Sequence, residues 1–244
     1  MTNSTDDMGV LVKPIGVIRT PFADKFAVPR QPGLAPHAKA VIEFYPPYDD
    51  EQAFVGIDGF SHLHILFVFD RIDYTKFRAR VRPPRLGGNI SMGVFATRSP
   101  FRPNRIGLSV VKINKVIREK GKVKIEVSGA DLVDSTPILD IKPYIPFVDS
   151  IESAKGGFAS TKPKCLNVQF SDCALEFLKN ENSVDLKAVE EILSQDPRPA
   201  YKDIHDKKEY SATLYGFIFR FTVDGDILCV NSVMKNGDEH EEEV

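Results

Sequence analysis

The chain has 244 residues, of which 42% are hydrophobic and 27% charged, an ordinary globular balance. Its formal net charge of −2 hides a division: residues 71–124 hold 15 Lys/Arg against 2 Asp/Glu, a net of +13, and the remainder carries −15. No apolar run approaches the roughly 18–20 residues of a membrane helix, and Cys165, Cys173 and Cys229 form no Cys-x-x-Cys pair, so a membrane span, a zinc site and a disulfide scaffold are all unexpected. A cytoplasmic protein is the simple reading, and the basic block points to a phosphate-rich partner.

Residues 1–9 are polar and acidic and read as a flexible leader, not a secretory signal. Short runs at 12–18, 38–45, 61–69, 92–97, 107–117, 122–127 and 137–141 are rich in Val, Ile and Phe and bounded by Pro, Gly and Asp. That pattern predicts strands. Runs 110–117 and 122–127 flank Arg118-Glu119-Lys120-Gly121, a hairpin turn. With no long amphipathic helix before 150, alternating βαβ units are disfavoured. A mainly β fold follows, with a closed or nearly closed barrel over 10–150. Residues 153–164 read as a linker. Helices are expected at 172–179 and 184–193, the second with Leu186, Val189, Ile192 and Leu193 on one face and Ser183 as N-cap. Strands at 213–223 and 226–233 would pair across Asp224-Gly225. Residues 160–235 thus predict a small C-terminal α+β domain, followed by an acidic tail over 236–244.

Five loops carry candidate chemistry. In 25–33, two prolines stiffen the backbone around Arg30 and Gln31, which suits either a binding loop or a rigid connector. In 80–89, Arg80, Arg82 and Arg85 alternate with prolines before a Gly pair, favouring anion or nucleic-acid contact over a solvated cationic loop. Loop 95–107 gathers Arg98, Arg102, Asn104 and Arg105, donors for phosphate, carboxylate or purine edges. Local turn bonds from Ser99 and Asn104 are compatible with that role. Loop 131–144 sets Asp131, Asp134 and Asp140 beside Lys142 and Tyr144, suited to cation binding, ribose binding, a general base or plain turn chemistry. Loop 195–199 sets Asp196 before Pro197 and locks Arg198 between Pro197 and Pro199. There is no Gly-x-Gly-x-x-Gly, Walker loop, Gly-x-Ser-x-Gly or His-Glu-x-x-His motif. His62 and His64 alternate within an apolar strand and read as satisfied histidines, not as a ligand pair.

Taken together, these strings resemble the TrmO (TsaA/YaeB) family of tRNA methyltransferases. The matching stretches are Ile15-Gly16-Val17-Ile18-Arg19, Phe26-Ala27-Val28-Pro29-Arg30-Gln31-Pro32-Gly33-Leu34, Phe60-Ser61-His62-Leu63, and Val81-Arg82-Pro83-Pro84-Arg85-Leu86-Gly87-Gly88. Met92-Gly93-Val94-Phe95-Ala96-Thr97-Arg98-Ser99, Phe101-Arg102-Pro103-Asn104 and Asp131-Leu132-Val133-Asp134 also match. Asp140-Ile141-Lys142-Pro143-Tyr144 and Gln195-Asp196-Pro197-Arg198-Pro199-Ala200-Tyr201 complete the set. The resemblance implies a barrel that binds S-adenosylmethionine without a Rossmann fold, a homodimer, and a tRNA substrate bearing N6-threonylcarbamoyladenosine at position 37. It also implies a cofactor set of Pro29, Arg30, Gln31, Asp70, Arg71, Arg98, Leu108 and Asp131 to Asp134. Three positions depart from the family pattern: Asp70 stands for His, Arg105 for the Pro after Asn104, and Ser135 for Gly.

The implied reaction displaces a sulfonium methyl by N6, which a carbamoyl carbonyl makes a weak nucleophile with a more acidic proton. Asp134 and Asp140 are the candidate bases, and Tyr144 or Lys142 would stabilise the carbonyl oxygen. Asp131 or an aromatic face would offset the sulfonium charge. Arg198, Arg102 and Arg105 are available for the threonyl carboxylate. Arg82, Arg85, Asn104 and Asp196 complete the substrate set. No metal is called for. The competing readings are a non-catalytic tRNA-binding module on the same barrel and a small-molecule methyltransferase.

Overall fold

Six strands close on themselves, with alternate positions of Lys39–Phe44, His62–Val68 and Lys122–Ser128 buried so that one face is packed and the other wetted. A computed structural model describes residues 9–72, 77–199, 202, 205–206 and 208–237. The barrel strands are β1 (Gly16–Arg19), β2 (Lys39–Phe44), β3 (His62–Val68), β6 (Ile106–Glu119), β7 (Lys122–Ser128) and β8 (Thr136–Pro143). A two-residue pair, β4 (Arg80–Val81) with β5 (Met92–Gly93), lies outside the barrel. The barrel order is β1-β2-β7-β6-β3-β8, and every pairing is antiparallel. Leu63, Ile65 and Phe67 of β3 face inward with Ala40, Ile42 and Phe44 of β2 and Val123, Ile125 and Val127 of β7. The β6–β7 hairpin turns at Lys120 and Gly121, whose φ of 51° and 73° give the two left-handed residues that the tightest hairpin loop requires.

The expected run at 92–97 is a strand only through Gly93. Val94–Ala96 is one 3-10 turn, closed by Thr97 N–H and Oγ1 donating to the Val94 carbonyl. After the barrel come a one-turn helix α1 (Pro146–Asp149) and then β9 (Asn167–Phe170), α2 (Asp172–Leu178), α3 (Leu186–Ser194), β10 (Tyr210–Leu214), β11 (Phe217–Asp224) and β12 (Ile227–Lys235). The second sheet runs β10-β11-β12-β9, with β9 parallel to β12. Two expectations need correction here. The N-cap of α3 is Asp185, whose carboxylate accepts from Lys187 N–H at 3.0 Å and Ala188 N–H at 3.2 Å, so the cap lies two residues after Ser183. The run 213–223 is broken at Tyr215-Gly216 (φ 55° and 80°) into two strands of a further hairpin. The acidic tail and the Ala200-Tyr201 end of the family string lie outside the described residues.

The two cores are linked by residues 22–38. Phe22, Ala27, Ala35 and Ala38 are buried within the cluster formed by α2, α3 and the second sheet. Phe22 bridges Leu214, and the His37 backbone N–H donates to Glu191 on α3 at 2.9 Å. The loop bearing Pro29-Arg30-Gln31 is therefore gripped by the C-terminal unit while it rises from the barrel.

Candidate active site

A cavity of about 250 Å³ opens where β3 ends and β8 begins. Phe67, Phe69, Leu132 and Val133 make its apolar wall, and Asp70, Arg71 and Asp131 bring charge to it. Three segments distant in sequence meet there because backbone bonds hold them together. Gly33 N–H donates to the Gly129 carbonyl at 2.8 Å, Asp134 N–H to the Phe22 carbonyl at 2.8 Å, and Ser135 N–H to the Ile18 carbonyl at 2.8 Å. Arg71 ties the rim, its guanidinium donating to the carbonyls of Ala23 at 3.0 Å and Asp134 at 2.5 Å. Lys25 Nζ donates in turn to the Arg71 carbonyl.

Asp131 is the most perturbed acid of the site. Burial pushes its carboxyl up to about 6, opposed by a hydrogen bond from Ser109 and by the charge of Arg98. Arg98 also donates to Gln31 Oε1 at 2.8 Å. One arginine thereby joins the Pro-Arg-Gln loop to the acidic loop. Ser109 was not anticipated as a site residue. The available signal was a polar side chain at an inward position of β6, between Gly107 and Val111, where only a partnered hydroxyl is tolerated. Val28, Pro100 and Thr136 also line the cavity and carried no sequence signal of their own.

Asp134 belongs to the same loop, but its carboxylate is spent. Oδ1 accepts from Thr20 N–H at 3.0 Å and Oδ2 from Ser135 Oγ at 2.7 Å, with Arg19 Nη1 at 3.8 Å. Ser135, where the family pattern has Gly, sits at φ 64°, a left-handed position that glycine adopts freely. Arg105 sits at φ 50°, which no proline can reach, so this turn differs in backbone from the Pro-bearing pattern. Leu108 points outward from β6 and is exposed.

The remaining candidates are spread over the molecule. Asp140 pairs with Lys142 at 2.8 Å on the outer face of β8. Tyr144 lies eight residues past Thr136, just beyond the far end of β8, with its ring 5.4 Å from His64. His64 pairs with Asp149 at 3.1 Å through Nε2, but its buried Nδ1 has no hydrogen-bond partner among the described residues, so the expected satisfied strand histidine is satisfied on one nitrogen alone. Neither Asp140, Lys142 nor Tyr144 lines the cavity of this chain. Arg82 and Asn104 are exposed, Arg85 is tied to Thr161, and Arg105 Nη1 reaches the Ile72 carbonyl at 3.4 Å. Arg102 donates to the carbonyls of Val94 at 3.2 Å and Thr97 at 2.7 Å.

A second cleft of about 440 Å³ adjoins the first, sharing Lys25 and Val28 in its wall. Its far side is Pro197-Arg198-Pro199 of the C-terminal unit. Arg30 bridges it, donating to the carbonyls of Asp196 at 3.3 Å and Arg198 at 3.0 Å. Arg198 is only 3% exposed and is held by Asp196 at 2.9 Å. It braces its loop and does not present a free cation.

Residues 17–150 match the tRNA-methyltransferase O N-terminal domain and residues 163–236 the TrmO C-terminal domain. The chain is 44% identical over 214 residues to the tRNA (adenine(37)-N6)-methyltransferase of Escherichia coli, covering 86% of this chain and 91% of that one. It is 44% identical over 209 residues to RcsF of Pseudomonas aeruginosa, named as a candidate S-adenosylmethionine-dependent methyltransferase, covering 84% and 88%. The crystal structure of TrmO from Pseudomonas aeruginosa superposes with a TM-score of 0.77 at 34% identity, covering 93% of this chain and 99% of that one. Barrel, C-terminal sheet and site loops thus agree with one another in sequence and in space, and the chain belongs to the tRNA-methyltransferase O family.

Proposed function

We propose that this chain transfers a methyl group from S-adenosylmethionine to N6 of N6-threonylcarbamoyladenosine at position 37 of tRNA. The observation that carries the reading is Asp131: an acid raised to about 6 in an apolar cavity, joined through Arg98 to the Pro-Arg-Gln loop. The residues suit the cofactor, because the cavity offers apolar walls for a ring and the carboxylates of Asp70 and Asp131 for a cation. Gln31, Arg71, Arg98, Asp131, Leu132 and Val133 would hold it, with Pro29 fixing the loop. When bound, S-adenosylmethionine supplies an electrophilic methyl on a positively charged sulfur.

Asp131 is ionised at neutral pH and supplies the compensating negative charge. The same carboxylate would accept the proton that N6 gives up on becoming methylated. Asp131 suits this work better than Asp134 or Asp140, since those two are held by Thr20 and Ser135 and by Lys142, outside the cavity lining. Asp134 instead positions the loop. The basic block binds the anticodon stem through its phosphates.

The chain acts as a homodimer in this reading. Ile145, Phe147, Val148 and Ile151 expose a contiguous apolar segment that a second copy would cover. Such a copy would also give Asp140, Lys142 and Tyr144 a site to act upon. Incubation with methyl-labelled S-adenosylmethionine and tRNA with or without the threonylcarbamoyl group tests the reaction. Label on modified tRNA alone supports it; tight tRNA binding without transfer favours a binding module.

A further inference from the structure

The basic segment that follows the described end of β3 carries two phenylalanines in an unusual setting. Phe95 is 70% exposed and Phe77 54% exposed, whereas Phe22, Phe219 and Phe221 are fully buried. Their ring centroids are 6.4 Å apart with a 30° tilt. Arg102 lies over the Phe95 ring at 5.6 Å, held there by its two bonds to the carbonyls of Val94 and Thr97. Arg78 lies over Phe101 at 5.3 Å. The backbone beneath is braced by β4–β5 and by Val94 N–H donating to the Ala79 carbonyl at 2.9 Å. The rings are therefore presented on an ordered surface.

Exposed aromatic rings cost solubility and mark a contact surface. The charge around them selects the partner: residues 77–105 contain seven arginines and no acidic residue. A second copy presenting the same face would meet like charge, which opposes a symmetric contact here. An RNA with unpaired bases satisfies both features, because phosphates meet the arginines and base faces meet the rings. The surface is continuous with the active site: Pro100 lines the cavity, and Phe101 and Arg102 follow it directly.

We propose that Phe95 and Phe77 form a stacking platform for an unpaired base next to the target adenosine in the anticodon loop. This rests on the reaction proposed above and extends it. A base brought to the cavity leaves its stack, and its neighbours lose a stacking partner. The platform replaces that partner, without reading sequence, while Arg102 stiffens the ring from beneath.

The test measures binding of an anticodon stem-loop RNA to the full-length protein and to its Phe95→Ala, Phe77→Ala/Phe95→Ala and Phe95→Trp variants. Phe95→Ala should weaken stem-loop binding about tenfold, a loss within the range for one base–aromatic stack. Phe95→Trp should retain it. Binding of a blunt duplex of the same stem should be unchanged in Phe95→Ala, whereas Arg82→Ala should weaken both RNAs. Removing the base at position 36 or 38 should cost the wild type about as much as Phe95→Ala does, and cost the variant nothing further. Equal stem-loop binding by Phe95→Ala and wild type overturns the proposal, as does an equal loss on the duplex. A change of oligomeric state in Phe95→Ala with RNA binding intact also overturns it and assigns the rings to a protein contact. Methyl transfer by the wild type is scored separately, so failure of the reaction and failure of the platform remain distinguishable.

Discussion

Arg98 donates to Gln31 Oε1 at 2.8 Å across 67 positions of sequence, and its charge acts on Asp131. One side chain thus couples the loop carried by the C-terminal core to the acid of the barrel. Arg98→Ala should release Gln31 and remove the cation opposing the rise of Asp131. S-adenosylmethionine affinity at pH 7 should fall about tenfold by titration calorimetry. The pH below which affinity is lost should also move upward. A tenfold loss with an unchanged pH profile would separate Arg98 from Asp131.

Asp131 makes stability and function oppose each other. Its folded value of about 6 lies above the unfolded value near 3.8, so the fold favours the protonated acid. Stability from this group is greatest below the unfolded value and is lost as pH rises through about 6. The cost at neutral pH is of the order of 3 kcal/mol at most. Asp131→Asn should therefore raise Tm by several degrees at pH 7 and by little at pH 4. The same variant should lose cofactor affinity at least tenfold. A lowered Tm at pH 7 would contradict the raised value.

Gly107 has no room for a methyl group, since a Cβ there would stand 2.2 Å from the tip of the Phe67 ring. Phe67 walls the cavity. Gly107→Ala should push that ring from its place and weaken cofactor binding about tenfold, with a stability loss of about 1–3 kcal/mol from overpacking. Binding equal to wild type in a folded Gly107→Ala protein would remove Phe67 from the cofactor wall.

Arg198 is buried and ion-paired with a half-buried Asp196. Arg198→Ala should cost about 2 kcal/mol, less than a fully buried pair, because Asp196 regains water. Hydrogen exchange should locate the loss in residues 195–199 and in the 25–33 loop, which Arg30 ties to that segment. Retained protection in the 25–33 loop would show that Arg30 holds it by other means.

Arg82 is exposed in the basic block. Arg82→Ala should weaken tRNA binding and reduce the slope of log affinity against log salt by about one. Cofactor affinity should stay unchanged; its loss would break the division between the phosphate face and the cavity.

The barrel was legible because β7 alternates charged residues with Val and Ile, and short Val-, Ile- and Phe-rich runs such as β2 and β3 are bounded by turn residues, the pattern that a closed sheet buries. The β10–β11 hairpin was hidden because Leu214 to Phe221 read as one apolar run, and only the paired left-handed residues Tyr215 and Gly216 break it. The cap of α3 was misplaced by two residues because Ser183 and Asp185 both fit a capping pattern, and the bond made in space decides between them. The acidic loop announced chemistry, but not which of its acids the cavity takes up. Asp131 and Asp134 differ in desolvation and in partners, Ser109 and Thr20, that lie elsewhere in the chain. Asp140 and Tyr144 are close to these in sequence, yet the extended β8 carries them away from the cavity.

Nucleoside mass spectrometry of tRNA treated with the protein and S-adenosylmethionine tests the central claim most directly. The expected result is loss of N6-threonylcarbamoyladenosine and gain of its N6-methyl derivative, with Asp131→Asn converting none at the same enzyme concentration. Methylation of unmodified adenosine at position 37, or unchanged nucleosides despite tight tRNA binding, would contradict it.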